Sequence, residues 1–419
     1  MQHPFTNPLL VYEIVIFSLE MQNLSLYFHI PFCRRRCGYC DFNTFAGMNQ
    51  YISDYVNALC REVESVFTTV SEQFVVHTVF FGGGTPSLLS TGHFEKILDI
   101  IRKQVRLSDD VELTLEANPE TVTKQNIADL FTMGFNRISF GMQSASKRDL
   151  KILDRQHDFK SILNALQWSR QAGFRHLNLD LIFGIPGQDV ESWQRTLKTA
   201  LELGVDHFSL YSLTLEDGTR LKKWVDRGIL EGVDDDLVAD MYALAMDLME
   251  NSGYIQYEIS NFACDTASVS RHNLQYWRYL PYLGFGAGAH GFYGDTRTEN
   301  VSLIPEYLQS MQNHERKNFP ASPATKNVIR LSKWERIQEN LMVSLRLTQE
   351  GVSIMDLNEQ YQVQITELFG PQISRLVRLG LLEYFAKGER LRLTRRGRFL
   401  GNRVFLEFID NPVPEYFDL

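Results

Sequence analysis

A chain of 419 residues with 44% hydrophobic side chains is long enough for one large domain and a smaller one. The formal charge of -9 and a pI of about 5.6 give no general pull toward nucleic acid, which argues against that class of partner. Five cysteines, three of them clustered, exclude a disulfide framework and suit a reducing compartment, so the expected location is cytoplasmic.

Residues 1–20 read as a tail or extension. The stretch from Leu9 to Leu19 is apolar but broken by Glu13, too short to span a bilayer, and not preceded by a basic region. Met21 stands just before the first strand-like run. Runs rich in β-branched and aromatic residues then occur at 24–30, 77–81, 111–117, 136–141, 175–182 and 205–213. Helical periodicity fills 51–67, 91–104, 123–133, 159–172 and 190–203. Gly134, Gly173 and Gly204 follow three of these helices, where a cap calls for positive φ. Six βα units in succession predict an α/β fold with a parallel sheet and outer helices. The site then belongs at the carboxyl ends of the strands, where Cys33, Gly82 to Pro86, Glu116, Gln143, Asp180 and Tyr211 all fall.

The alternation fades after about residue 250. The glycine-rich stretch 283–291 reads as a loop or strand packed close to something. From about 330 the pattern changes to helix at 335–345, helix at 373–382, strand at 391–394 and a basic segment over 395–408, which is winged-helix-like. The expected division is a tail over 1–20, a barrel domain over 21–300 and a mainly helical C-terminal domain over 301–419. The basic cluster of Lys387, Arg390, Arg392, Arg395, Arg396, Arg398 and Arg403 lacks interleaved aromatics, so it reads as a solvated face or an inter-domain contact.

Cys33, Cys37 and Cys40 are spaced C-x3-C-x2-C. Three thiolates can hold three irons of a cubane cluster and leave the fourth iron open to chelate a small molecule. The rival is zinc, which wants four ligands in a closed tetrahedron. Cys60 and Cys264 are isolated, and His29 sits where a strand should run into the loop. The spacing resembles the radical S-adenosylmethionine superfamily, in which that molecule is S-adenosylmethionine. Gly82-Gly83-Gly84-Thr85-Pro86 permits close backbone approach to a ligand and lacks the lysine of a phosphate loop. Glu116, Gln143, Arg155 and Asp180 offer the groups that an amino acid zwitterion with a ribose needs.

Taken together, Tyr-x-His-Ile-Pro-Phe-Cys, the GGGTP run, Glu116-Ala117-Asn118-Pro119, 139–144 and 178–187 resemble the oxygen-independent coproporphyrinogen III oxidase family over about residues 22 to 410. The resemblance implies an open (β/α)6 barrel, a [4Fe-4S] cluster on Cys33, Cys37 and Cys40, and cofactor contacts from Tyr27, Tyr39, Gly83, Gly84, Thr85, Glu116, Gln143, Arg155 and Asp180. The family has two branches. The oxidases carry a further cysteine where this chain has Phe42, and a longer amino-terminal arm. A heme-chaperone branch has phenylalanine there and a His-Asn-x-x-Tyr-Trp motif, matched by His272, Asn273, Tyr276 and Trp277. Neutral imidazole is a good axial ligand, and flat side chains suit a porphyrin; His290 is a second candidate. The resemblance thus implies a protein that binds heme and passes it to acceptor proteins, with an electron donor if the cluster turns over. Membrane contact would come only through an acceptor. The alternative is oxidative decarboxylation of coproporphyrinogen III to protoporphyrinogen IX, which Phe42 and the short arm disfavour.

Overall fold

Most of the barrel strands alternate apolar with polar residues, and the two sets go to opposite faces of the sheet. The computed structural model describes residues 22–68, 70, 74–313, 317–409 and 412–413; the expected tail over 1–20 lies outside them. The six strands are β1 (Gln22–Ile30), β2 (Phe74–Gly83), β3 (Arg106–Ala117), β4 (Arg137–Gln143), β5 (His176–Phe183) and β6 (His207–Ser212), all paired in parallel in that order. Leu24, Leu26, Phe28 and Ile30 of β1 are fully buried in the main core, on the face the helices cover. The register puts the other set in layers across the concave face: Tyr27 opposite Phe80, Phe80 opposite Thr114, Glu116 opposite Ser139, and Asp180 opposite Ser209.

The outer helices are α1 (Ile52–Phe67), α2 (Thr91–Gln104), α3 (Lys124–Thr132), α4 (Phe159–Ala172), α5 (Val190–Leu201) and α6 (Asp235–Asn251). Ser90, Thr123, Asp158, Asp189 and Asp234 cap α2 to α6 by accepting from the third amide of each helix. Such a cap contributes about 1 kcal/mol. Gly134, Gly173 and Gly204 have φ of 105, 109 and 60°, as the helix ends require.

The sheet does not close on itself. β1 pairs on its outer side with β9 (Tyr282–Phe285), in parallel. β9 is followed by the antiparallel strands β10 (His290–Tyr293), β11 (Thr296–Asn300) and β12 (Thr325–Arg330). β6 pairs antiparallel with β8 (Asn261–Ala263), and β8 with β7 (Ile255–Gln256). The glycine-rich stretch is therefore a strand and its exit turn, with Gly286 and Gly288 at φ of 100 and 75°. The expected boundary at 300 needs correction: β11 ends there and pairs with β12, so the sheet runs on to Arg330.

A separate apolar core involves Trp334, Ile337, Leu341, Phe369, Leu376 and Phe408. Its elements include α8 (Lys333–Ser344), α9 (Ile354–Tyr361), α10 (Gly370–Arg378), β13 (Leu382–Phe385), β14 (Arg390–Leu393) and α11 (Gly401–Ile409). The helix expected over 373–382 stops at Arg378, because Gly380 turns the chain at φ of 67° and Leu382 opens a strand. The basic cluster is largely spent on contacts. Arg395 pairs with Asp247 and Glu250, Arg398 donates to Gln256 Oε1 (2.8 Å), and Arg392 pairs with Glu383 (2.8 Å). Two of these three reach from the C-terminal region to the barrel. Among the described residues no helix is long and apolar enough to cross a membrane.

Candidate functional site

The chain leaves β1, forms a short strand at Phe32–Cys33, and makes the cysteine loop before Phe45 N returns to Pro31 O (2.7 Å). Gly38 N donates to Leu153 O (3.3 Å), Leu221 N donates to Gly38 O (2.8 Å), and Arg35 pairs with Asp154 (2.6 Å). The loop is thus clamped on two sides. Cys33 is buried, and Cys37 and Cys40 are half-buried. Thr85 Oγ1 donates to Cys33 Sγ (3.6 Å) and Arg155 Nη1 donates to Cys37 Sγ (3.6 Å). The Thr44 hydroxyl lies 3.8 Å from Cys40 Sγ. Donors aimed at sulfur stabilise thiolates. Burial pushes the Cys33 and Cys40 thiols up, a penalty that iron coordination reverses. Among the described residues no group of three His, Cys, Asp or Glu side chains is disposed to hold a single metal ion. A cubane instead asks each sulfur to meet a different iron, so the residues fit a cluster better than zinc.

A cleft of about 470 Å³ opens beside the cysteines, lined by all three and by Tyr39, Gly83, Gly84, Thr85, Glu116, Gln143, Arg155 and Asp180. The structure therefore brings together every expected cofactor residue except Tyr27, which lies outside this lining. Gly83 has φ of 109°, and a Cβ there would lie 2.5 Å from the His29 ring. One on Gly84 would lie 2.7 Å from Phe32 O, so neither position admits a side chain. Gly83 N donates to Glu116 Oε2 (3.1 Å). Burial, then the charge of Asp180, raises Glu116 to about 7. Asp180 accepts from Ser139 Oγ (2.9 Å) and Asn178 Nδ2 (2.8 Å); burial still raises it. Gln143 adopts φ of 62° at a bulge, and its buried Oε1 has no partner among the described residues. A strained polar residue with a spare acceptor suits a ligand contact. Arg155 donates to Asn118 Oδ1 (2.7 Å) and Gly141 O (2.8 Å), leaving Nε unpaired.

The residues expected at heme lie deeper, on the short helix α7 (Arg271–Trp277) and beyond. Glu112, ion-paired with Arg137 (3.1 Å), accepts from the amides of Arg271 (3.1 Å) and His272 (3.0 Å) and so fixes the start of α7. His272 is fully buried, stacks on Phe80 at 4.9 Å, and uses both ring nitrogens: Nδ1 with Thr78 Oγ1 (2.7 Å) and Nε2 with Tyr276 Oη (2.9 Å). Burial lowers its pKa to about 3. The imidazole is therefore neutral, as expected of a ligand, and both of its nitrogens are engaged within the chain. Asn273 hydrogen-bonds Tyr257, Tyr276 and Trp277 are partly exposed, and His290 is exposed at the start of β10. His29, the fourth zinc ligand considered above, bonds Asn43 O (2.9 Å) and Tyr27 Oη (3.0 Å) instead. Sequence reasoning overlooked Asn118, Ser139 and Asn178 as supports. Ser139 and Asn178 follow from the period-two polar pattern of β4 and β5, which marks a polar lumen, and Asn118 is the first residue after β3.

Residues 27–200 match the Radical SAM superfamily, and residues 331–400 match the HemN C-terminal domain. In fold the chain is similar to the coproporphyrinogen III oxidase HemN of Escherichia coli, with a TM-score of 0.81, 24% identity, and cover of 93% of this chain and 91% of that one. A radical S-adenosylmethionine protein is the class that this barrel and its cysteine loop define. The heme chaperone HemW of Bacillus subtilis (strain 168) is 36% identical across 92% of this chain and 99% of its own. The HemW of Lactococcus lactis (strain IL1403) is 35% identical across 92% and 97%. A mitochondrial radical S-adenosyl methionine domain-containing protein 1 of Danio rerio is 36% identical across 90% and 81%. The chain belongs to the HemW family.

Proposed function

We propose that the protein is a cytoplasmic heme chaperone: it carries a [4Fe-4S] cluster with S-adenosylmethionine, binds heme, and hands it to acceptor proteins. The observation that carries this reading is the near full-length kinship with the Bacillus subtilis heme chaperone. Phe42, 64% exposed at the mouth of the cleft, supports it, since an oxidase would be expected to have cysteine there. A bound cluster of this class supplies one electron to the sulfonium. The chain's own part is to hold the ligand: Gly83 and Gly84 let the backbone approach, Arg155 faces a carboxylate, Glu116 an ammonium or hydroxyl, and Asp180 a ribose. For heme we place the macrocycle on the concave face, against the partly exposed rings of Tyr276 and Trp277. On this reading His272 holds Tyr276 in place, so His272→Ala is expected to bind heme with an unchanged Soret band. A lost or shifted band would make it an iron ligand after all.

Anaerobic reconstitution followed by two assays on one sample tests the whole reading. Heme binding without decarboxylation of coproporphyrinogen III is expected; rapid conversion would make the protein an oxidase.

Glu116 gives a pH test. It titrates near pH 7 without ligand, and an ammonium partner favours its ionised form, so binding below that pH must release a proton. Affinity for S-adenosylmethionine is therefore expected to rise with pH up to about 7 and then level off. Glu116→Gln should bind more weakly and flatten the profile, as read by calorimetry on the reconstituted protein.

A further inference from the structure

One of the contacts between the barrel and the C-terminal region is a backbone seam. Thr348 N donates to Tyr257 O (3.0 Å), and Leu347 forms an isolated bridge with Glu258. This seam fixes Arg346, whose guanidinium lies 4.3 Å from the centre of the Trp277 ring. Glu258 faces it from the barrel side and is completely buried. Glu258 Oε1 is used, accepting from Ser260 N (2.8 Å) and Asn261 Nδ2 (2.5 Å). Glu258 Oε2 has no hydrogen bond and lies 3.5 Å from Arg346 Nη2, a loose ion pair.

Two donors at the same place are also unmatched. Arg346 Nε and Trp277 Nε1 are buried and have no acceptor among the described residues. A buried polar atom without a partner costs about 1–3 kcal/mol, so two such donors beside one such carboxylate oxygen are a poor end state for a closed interface. The two donors and the guanidinium charge suit a ligand that brings acceptor oxygens. The Arg346 side chain is 23% exposed and Trp277 is only half-buried, so the place can be reached. Tyr211, which lines the cleft, lies within electrostatic reach of both Asp180 and Glu258.

We infer that Arg346, stacked on Trp277 and loosely paired with Glu258, anchors a carboxylate side chain of the flat ligand. This rests on the heme reading above and assigns the residue that holds one edge of the ligand. Guanidinium is the natural partner, being planar, always charged and able to stack while it donates. The poor pairing with Glu258 keeps it positioned without saturating it.

The test compares heme with its dimethyl ester, which keeps the ring and iron but removes both carboxylates. Titrated into the full-length protein, heme is expected to bind at least about tenfold more tightly than the ester, the ratio of a charge-assisted hydrogen bond. Arg346→Gln should abolish that preference while leaving ester affinity unchanged. Arg278→Gln, which removes an exposed pair with Glu350 nearby, should leave the ratio intact. Equal affinities in the unmodified protein would overturn the anchor while heme binding stands, and this arm needs no variant to fold. A preference that survives in Arg346→Gln would also overturn it. Binding of neither form would overturn the heme reading itself, and the anchor with it.

Discussion

Replacing Glu62 by alanine is expected to destabilise the barrel by about 4 kcal/mol or more. Glu62 is completely buried in α1 and serves four donors: Gly286 N (2.8 Å), Tyr307 Oη (2.7 Å), Asn300 Nδ2 (2.7 Å) and Ser322 Oγ (2.6 Å). Desolvation raises its pKa and the hydrogen bonds work against that rise. Alanine removes the acceptor from all four at once, and each orphaned donor costs about 1 kcal/mol at least. Against a total stability of about 5–15 kcal/mol that is a large fraction. Glu62→Gln is milder. The hydroxyls of Tyr307 and Ser322 can rotate, but the Gly286 amide and the Asn300 amide group receive different oxygens, so one fixed N–H must face the glutamine NH2. A loss of about 1–3 kcal/mol is expected. Thermal unfolding followed through the buried Trp193 checks both, with alanine lowering the midpoint by roughly 5 °C and glutamine by less. The effect reaches the site as well. Ala287 N donates to Tyr55 Oη, and Asn43, three residues beyond Cys40, donates to Ala287 O (3.0 Å). Loosening the Gly286 turn therefore loosens the cysteine loop, and cluster retention should fall in parallel with stability.

The six barrel strands were legible because short runs of β-branched and aromatic residues recur between the helical stretches, an enrichment that survives in a single sequence. All five predicted helices sit within two residues of their observed ends, fixed by side-chain caps at four starts and by glycine near three ends. Other features needed tertiary context. β9 carries glycine at 284, packed so tightly against His290 that a Cβ would meet its carbonyl oxygen, and such a strand has no β-branched signature. Arg155 looked unremarkable in a polar segment. It is delivered to Cys37 by the turn at Asp154, which adopts φ of 60° while paired with Arg35 and Arg220. His272 was readable as a motif residue but not as a buried one, because nothing in the local sequence says that α7 runs along the concave face against β2. Whether a polar residue in an open barrel meets ligand or another part of the chain depends on what fills the lumen, and that is a long-range property.

Serine in place of Cys33, Cys37 or Cys40 is expected to leave the chain folded and to strip its iron. The fold should survive because the main core is built from residues such as Phe28, Phe81, Phe140 and Trp193 and does not depend on the loop thiols. Serine is nearly isosteric, and Thr85, Thr44 and Arg155 can bond an oxygen as readily as a sulfur. The metal should be lost because a cubane with one vacant corner has no spare protein ligand, and a neutral hydroxyl is a poor substitute for a soft thiolate. Iron and acid-labile sulfide should each fall from about four per reconstituted chain to near background. Cys60→Ser and Cys264→Ser are the controls. Cys60 donates to Lys96 O on the outside of the barrel and Cys264 contacts Ser268, so both variants should retain a full cluster. The loss of iron should precede every other effect, since the cleft that Gly83, Glu116 and Asp180 line has one wall made of the cysteine loop itself. S-adenosylmethionine affinity should fall with the iron in each loop variant, whereas the unfolding free energy of the metal-free protein should stay within about 0.5 kcal/mol of that of the metal-free unmodified chain. Anaerobically prepared protein holding about one zinc and no sulfide would replace the cluster with a structural zinc site.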